Sequence, residues 1–334
     1  MMGLLGYAKG KNIKNVYDRC KKISKKENKN AFIMLLDIMR CTIKYKSGIS
    51  DYFNYKFYNK KNNQIKEYVT IGDTDYFYEI LSPSKYKTFF TIKPNFLNNF
   101  KKYINRDYWV IGDGINKLES IIKNNKELII KPIDGLGGKD VEKINTKDIK
   151  DINLFYEKMK KENLFIEEVV LQHPDMDKLS PTSCNTIRIM TLNIKGNTEI
   201  FMAIARIGNG INSVDNFHQG GMGVKIDINT GKLIGNAYDK DCNEYEIHPK
   251  TNIKFDGYQL PNWNIVKKIV LEAAKVNENI KVVGWDVAIT PDGATFIEGN
   301  RRPGWDLVQV VYNRGRKDLY NDVLNKYNMA YKNN

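Results

Sequence analysis

Thr290-Pro291-Asp292-Gly293 lies between two apolar runs, VVGWDVAI and ATFIEGN, and a turn signal in that place commits residues 282–300 to a β-hairpin. With Pro291-Asp292-Gly293 as the loop, Thr290 pairs with Ala294 and Asp286 falls opposite Glu298. Their Cβ atoms then stand ~5 Å apart on one face, and Asn300 follows two residues on. Trp285, Val287 and Ile289 alternate with Asp286 and Ala288, so the other face is buried and the hairpin is not a free surface ribbon. Two carboxylates that close repel unless something positive sits between them. Asp, Glu and Asn offer only oxygen ligands, the choice of a hard ion such as Mg²⁺, which normally arrives with phosphates. A solvated acidic face is the plainer alternative.

At 334 residues the chain exceeds a single core and divides into two or three subdomains. Lys and Arg number 53 against 39 Asp and Glu, a net charge of +14, but most of the excess is Lys scattered among Asn, Ile and Tyr. Charge of that kind makes no case for nucleic acid, and none is expected as a partner; it favours phosphorylated, acidic or membrane-surface partners. Cys20, Cys41, Cys184 and Cys242 lie far apart without CxxC spacing, the pattern of reduced thiols in a cytoplasmic protein. The apolar run Ala31–Leu36 is too short to span a bilayer and no signal-peptide pattern precedes it, so a soluble protein is expected. That excludes integral insertion only. Peripheral contact through the Lys run 21–29 stays open beside the plainer reading of a solvated helix face.

Along the chain, residues 1 to about 50 read as helical, and the aromatic-rich pieces from Asp51 to Leu81 as helix and strand of a small lid or substrate-facing part. From Tyr86 the elements alternate: a helix over 95–104, a short strand at 109–111, a helix capped by Asp113, a strand at 127–131, a helix near 148–161 and a strand at 164–170. In the last of these, Glu167 and Glu168 point to opposite faces, and an edge strand with one solvated Glu would account for them. A second hairpin joins Thr186–Ile194 to Thr198–Gly208 through Lys195-Gly196-Asn197. Its register sets Arg188 opposite Ile204, with Arg206 one diagonal step away at ~7 Å. Two guanidiniums in an otherwise apolar hairpin need an anion, which protein carboxylates or a triphosphate could supply. Pro261 and Asn262 start an amphipathic helix, and Asp318–Tyr327 is a closing one.

Two loops are rich in glycine. Asp134-Gly135-Leu136-Gly137-Gly138-Lys139 follows a strand ending in Lys131, so its backbone N–H groups can approach phosphate oxygens. It is neither a Walker A loop, since Ile133 and Asp140 stand where Gly and Ser/Thr belong, nor a GxGxxG fingerprint, and a tight turn explains it equally well. Asn216-Phe217-His218-Gln219-Gly220-Gly221 is the second, and a lone loop His is more often incidental than catalytic.

Taken in order, Thr91-Ile92-Lys93, IIKPIDGLGGKDV, FIEEVV, NTIRIMTL and the Asp...Glu-x-Asn hairpin resemble the ATP-grasp superfamily. The wording NTIRIMTL, DNFHQGGMG and GWDVAITPDGATFIEGN is similar to its sugar-transfer-associated branch, over roughly residues 85–310. The resemblance implies an α+β fold of ATP-grasp type, two α+β subdomains gripping ATP behind a mixed helical and aromatic-rich N-terminal part. The expected division is 1–84, then 85–170 with the glycine loop, then 171–334 with the Mg²⁺ site. It implies roles as well. Lys93 and Lys131 contact ATP phosphates, and the loop of Gly135, Gly137 and Gly138 closes over them. Glu167, Glu168, Val169 and Val170 form the hinge along the adenine edge, and Asp175 meets the ribose, although the family usually places a Glu there. Arg188 steadies the γ-phosphate, and Asp286, Glu298 and Asn300 hold Mg²⁺. Arg206, Asn216, His218, Gln219, Gly220, Gly221, Arg301 and Arg302 flank the phosphate end as substrate contacts, Arg206 with Arg188 and Lys131 in the catalytic set.

The activity so implied is ATP-dependent carboxylate–amine ligation through an acyl phosphate, joining an amino acid or amine to a sugar acid or other carboxylate in surface-polysaccharide synthesis. Partners are then a small-molecule or glycan carboxylate and an amine; the oligomeric state is left open. An ATP-grasp kinase acting on a hydroxyl is the first rival, and a non-enzymatic basic binding module the second.

Overall fold

The computed structural model describes residues 13–134, 141–211 and 217–331. Among the described residues, seven α-helices precede the first strand: α1 Ile13–Glu27, α2 Ala31–Tyr45, α3 Ile49–Asn54, α4 Asn62–Ile65, α5 Ile71–Leu81, α6 Thr88–Thr91 and α7 Lys93–Asn99. Between Asp51 and Leu81 the described chain is helix and turn, so the strand expected in that region is absent. Its best segment, around Val69, is satisfied by a side chain instead of a neighbouring strand. Val69 N donates to Gln309 Oε1 at 2.7 Å and Gln309 Nε2 donates back to Val69 O at 3.0 Å.

A four-stranded antiparallel sheet follows, ordered β1-β4-β2-β3, from β1 Tyr108–Trp109, β2 Glu127–Pro132, β3 Glu142–Asn145 and β4 Leu164–Glu168. Helices α8 Ile115–Asn124 and α9 Ile152–Lys161 cover it, burying Trp109, Leu118, Leu128, Ile130, Met159 and Ile166 together. Gly114, at φ +80°, takes the position before α8. Asp113 therefore does not cap that helix as expected; its carboxylate accepts from Val110 N at 3.0 Å and pairs with Lys117. Asp151 does cap α9, accepting from Asn153 N and Leu154 N. Because β4 lies inside the sheet, the edge-strand reading of Glu167 and Glu168 falls.

After α10 Pro174–Leu179 comes a seven-stranded antiparallel sheet in the order β11-β10-β5-β6-β7-β8-β9. Its strands are β5 Thr186–Ile194, β6 Asn197–Ile207, β7 Met222–Ile226, β8 Leu233–Asp239, β9 Glu244–Tyr245, β10 Val282–Thr290 and β11 Gly293–Asn300. The helices α11 Trp263–Ala273, α12 Trp305–Val311 and α13 Lys317–Tyr331 complete the chain. Alternation along β5 sends Ile187 and Ile189 to one core, with Trp263 and Val266 of α11 and the aromatic group Phe90, Phe96 and Phe100. Met190 and Leu192 go to the opposite core, shared by α1–α5, α12 and α13. Buried on both faces, β10 is apolar almost throughout, as a central strand must be.

Candidate active site

Two bulges set the register of the site. In the β10–β11 hairpin the loop is Pro291-Asp292 and Thr290 pairs with Gly293, one residue tighter than the sequence suggests. A bulge between Asp286 and Val287 takes the missing residue back, and Asp286 still faces Glu298. The β5–β6 hairpin repeats this: Ile194 pairs with Asn197, a bulge lies between Met190 and Thr191, and Arg188 faces Ile204. Asp286 is also the direct partner of Arg188 across β10 and β5. Four neighbouring strands, β11, β10, β5 and β6, thus bring Glu298, Asp286, Arg188 and Arg206 into one row.

Within that row the carboxylates are engaged by cations. Arg188 donates to both oxygens of Asp286, from Nε to Oδ1 and from Nη2 to Oδ2 at 2.9 Å. Arg206 Nη1 reaches the same Oδ2 at 2.7 Å. A protein carboxylate, that of Asp286, thus meets both guanidiniums. Lys93 Nζ, at the start of α7, lies 2.9 Å from Glu298 Oε2, and Asn300 Nδ2 donates to Glu298 Oε1 at 2.8 Å. Burial raises the Glu298 carboxyl, but Lys93, Asn300 and Arg188 outweigh it and hold it well below the usual carboxylate range. Gly299 makes the approach of α7 feasible: a Cβ there would stand 2.6 Å from Phe90 Cε1 and 2.9 Å from Phe96 Cε2.

Lys131 lies elsewhere in the fold, on β2, where it pairs with Glu167. Arg106 pairs with the other oxygen of Glu167 and also donates to Phe296 O at 2.6 Å and Thr295 Oγ1 at 3.2 Å on β11. That one guanidinium therefore ties the four-stranded sheet to the seven-stranded one. Burial pushes Glu167 up, yet Arg106 and Lys131 together hold it down to about 2. Sequence reading missed Arg106. The available signal was its residue type, since a fork of five donors in a lysine-dominated chain suits a buried, multiply bonded position that Lys cannot fill. The two lysines are neighbours through the backbone: Lys93 N donates to Ile133 O, two residues beyond Lys131, at 3.1 Å.

The remaining predicted residues are placed as follows. Glu168 Oε2 accepts from Asp107 N at 2.9 Å, and Val169 and Val170 run on from β4, half-buried. Asp175 is not brought to the row; its carboxylate pairs with Lys178 at 2.7 Å on α10. Arg301 donates to Ser82 O and Arg302 pairs with Asp75, so both turn toward α5. Gln219 is exposed, Gly220 has φ +101° and Gly221 is buried just before β7. Gly135, Gly137, Gly138 and Asn216 lie outside the described residues, and so does the side chain of His218.

Among the described residues no three His, Cys, Asp or Glu side chains gather as a metal cage. The donors present, two carboxylates and the Asn300 carboxamide, are of the hard oxygen type Mg²⁺ takes. With Lys93, Arg188 and Arg206 already around them, they fit an ion that arrives with phosphates better than a bare one, because the phosphates compete for those cations.

A comparison with curated proteins gives no match. Among solved structures, the ATP-grasp ligase PsnB complexed with precursor peptide PsnA2 and AMPPNP is 13% identical, with a TM-score of 0.45 over 73% of this chain and 61% of that one. L-amino acid ligase from Bacillus licheniformis is 14% identical, TM-score 0.40, over 70% and 48%. D-alanine–D-alanine ligase from Bacillus anthracis is 13% identical, TM-score 0.39, over 71% and 65%. This chain thus spans about three-fifths of the PsnB chain. Residues 52–325 match the family described as sugar-transfer associated ATP-grasp, a range that takes in the N-terminal helices from α3 as well as both sheets, and the chain belongs to that family.

Proposed function

We propose that the protein is an ATP-dependent carboxylate–amine ligase, with ATP and Mg²⁺ as its cofactors. The observation that carries this reading is the row on β5, β6, β10 and β11, in which Arg188, Arg206, Asp286, Glu298 and Asn300 converge with Lys93. In the proposed reaction a substrate carboxylate oxygen attacks the γ-phosphorus, the bond to ADP breaks, and an acyl phosphate forms. An amine then attacks the acyl carbon, loses a proton and expels phosphate. Mg²⁺ held by Asp286, Glu298 and Asn300 would neutralise phosphate charge. Arg188 and Lys93 would orient the γ-phosphate, with Lys131 on the neighbouring phosphates, so positioning and fixed charge supply most of the rate. Arg206 and the loop of residues 216–221 would meet the carboxylate substrate. Arg301 and Arg302, which reach α5, would meet the amine or its carrier. A glycan or sugar-acid carboxylate is the substrate class we favour, from the sugar-transfer association of the family.

Thermal unfolding with a non-hydrolysable ATP analogue and Mg²⁺ tests the site. Ligand at ~100 times its Kd adds ~2.7 kcal/mol, which raises the midpoint of the wild type and not of Glu298→Gln. A wild type that does not respond refutes the nucleotide site. Screening carboxylate and amine pairs for free phosphate then separates ligase from kinase, because a kinase leaves its phosphate on a stable ester.

A further inference from the structure

α2 carries an apolar stripe on the side turned away from the protein. Met34, Ile38 and Cys41 enter the core, while Phe32, Leu36, Met39 and Ile43 recur at steps of four, three and four and remain 50–64% exposed. At 100° per residue those four fall within an arc of about 60° on the opposite side of the helix. Ile33, 63% exposed, widens the patch. Together the five expose on the order of 500 Å², near the upper end for the largest apolar patch of a soluble monomer. Satisfied core packing does not explain the stripe, since the core is served by the other face.

Charge identifies what covers it. α1 packs beside α2 and buries Val16 and Cys20 in the same core, so its own opposite face also turns outward. Lys14, Lys21, Lys22, Lys25, Lys26 and Lys29 are all exposed there and in the connection to α2. Residues 13–45 contain nine Lys and Arg against three Asp and Glu, and Asp37 is taken up by Arg40 and Tyr52. A second copy of this chain would bring like charges together around the stripe. We propose that α1 and α2 dock on an anionic membrane surface, α2 lying in the interface with its stripe in the acyl boundary and the α1 lysines on the headgroups. No described helix is long and apolar enough to cross a bilayer, which agrees with lying on it. The docked face shares no residue with the proposed ATP site, so the proposal stands whatever the reaction.

Flotation of the full chain with vesicles tests it, at about 0.15 M salt. Vesicles of phosphatidylcholine with about 30 mol% phosphatidylglycerol should carry the protein, and phosphatidylcholine alone should not. The variant Lys21→Gln, Lys22→Gln, Lys25→Gln, Lys26→Gln should partition onto these vesicles up to about 1000-fold more weakly. The variant Phe32→Ser, Leu36→Ser, Met39→Ser, Ile43→Ser should not float at all. All eight side chains are exposed, so both variants should keep the wild-type thermal midpoint. The idea is overturned if the wild type ignores anionic vesicles, or if the stripe variant floats as the wild type does. A dimer that dissolves in the stripe variant, with anionic vesicles ignored, overturns it in favour of a second copy.

Discussion

Glu167 and Asp286 are both buried carboxylates held between two cations, yet the pairs are built for different ends. Around Glu167 the Arg106 side is closed: the Glu167 side chain is 3% exposed and that of Arg106 2%, and the other donors of Arg106 are used on Thr295 and Phe296 of the second sheet, while Lys131 alone stays partly open at 22%. Around Asp286 the row continues into Glu298, Asn300 and Lys93, where side-chain exposure reaches 29% and 16%. A buried pair with its hydrogen bonds complete fixes geometry, and breaking it costs mainly stability. Cations and carboxylates that continue into an open row can exchange partners with an incoming anion.

The comparison can be broken by mutation. Arg106→Leu leaves Glu167 with Lys131 alone and severs the tie to β11, and should cost ~3–5 kcal/mol in urea unfolding. Arg188→Gln should behave in the opposite way. Asp286 keeps Arg206, so unfolding changes little, while phosphate release under single-turnover conditions falls ~100- to 1000-fold. Equal effects of the two substitutions on stability and on turnover would erase the distinction drawn above. Acid titration sharpens it by a smaller amount. Glu167 is held at about 2, below its ordinary 4.5, so its contribution is complete above 4.5 and is lost as pH falls through about 2. Glu298 is shifted the same way and adds to the loss. Glu167→Gln should therefore flatten the dependence of unfolding free energy on pH below 4.5 by up to ~1.4 kcal/mol per unit, one proton's worth. An unchanged slope would mean that Glu167 is not charged in the folded protein.

The row of charged residues was legible because hairpins have few ways to pair. Turn residues, alternation and the positions of Asp286, Glu298 and Arg188 gave the right cross-strand partners, although both loops are one residue shorter than expected. Each bulge offset its loop, and a bulge has no reliable signal in a single sequence because it is settled by packing on both faces. Arg106 and Gln309 were illegible for a related reason. Each bonds a backbone group far away in the chain, at Phe296 and at Val69, and no local pattern marks a side chain whose partners are 190 and 240 positions distant. The aromatic stretch 51–81 misled for the same cause, since Gln309 satisfies Val69 where a strand would have.

That pair also orders events in time. Val69 acquires its partner only once Gln309 has been made, and the core under α1–α5 draws on residues as late as Tyr320 and Val323. At about 5–20 residues per second, a ribosome adds the intervening 240 residues in roughly 10 to 50 s. For that interval α3 and α5 are synthesised but uncovered, with Phe53, Phe57 and Phe77 lacking the surface that later buries them. Segment α1–α5 is thus open to aggregation and to chaperones during synthesis, and it reaches the native state only after the residues that cover it have been made.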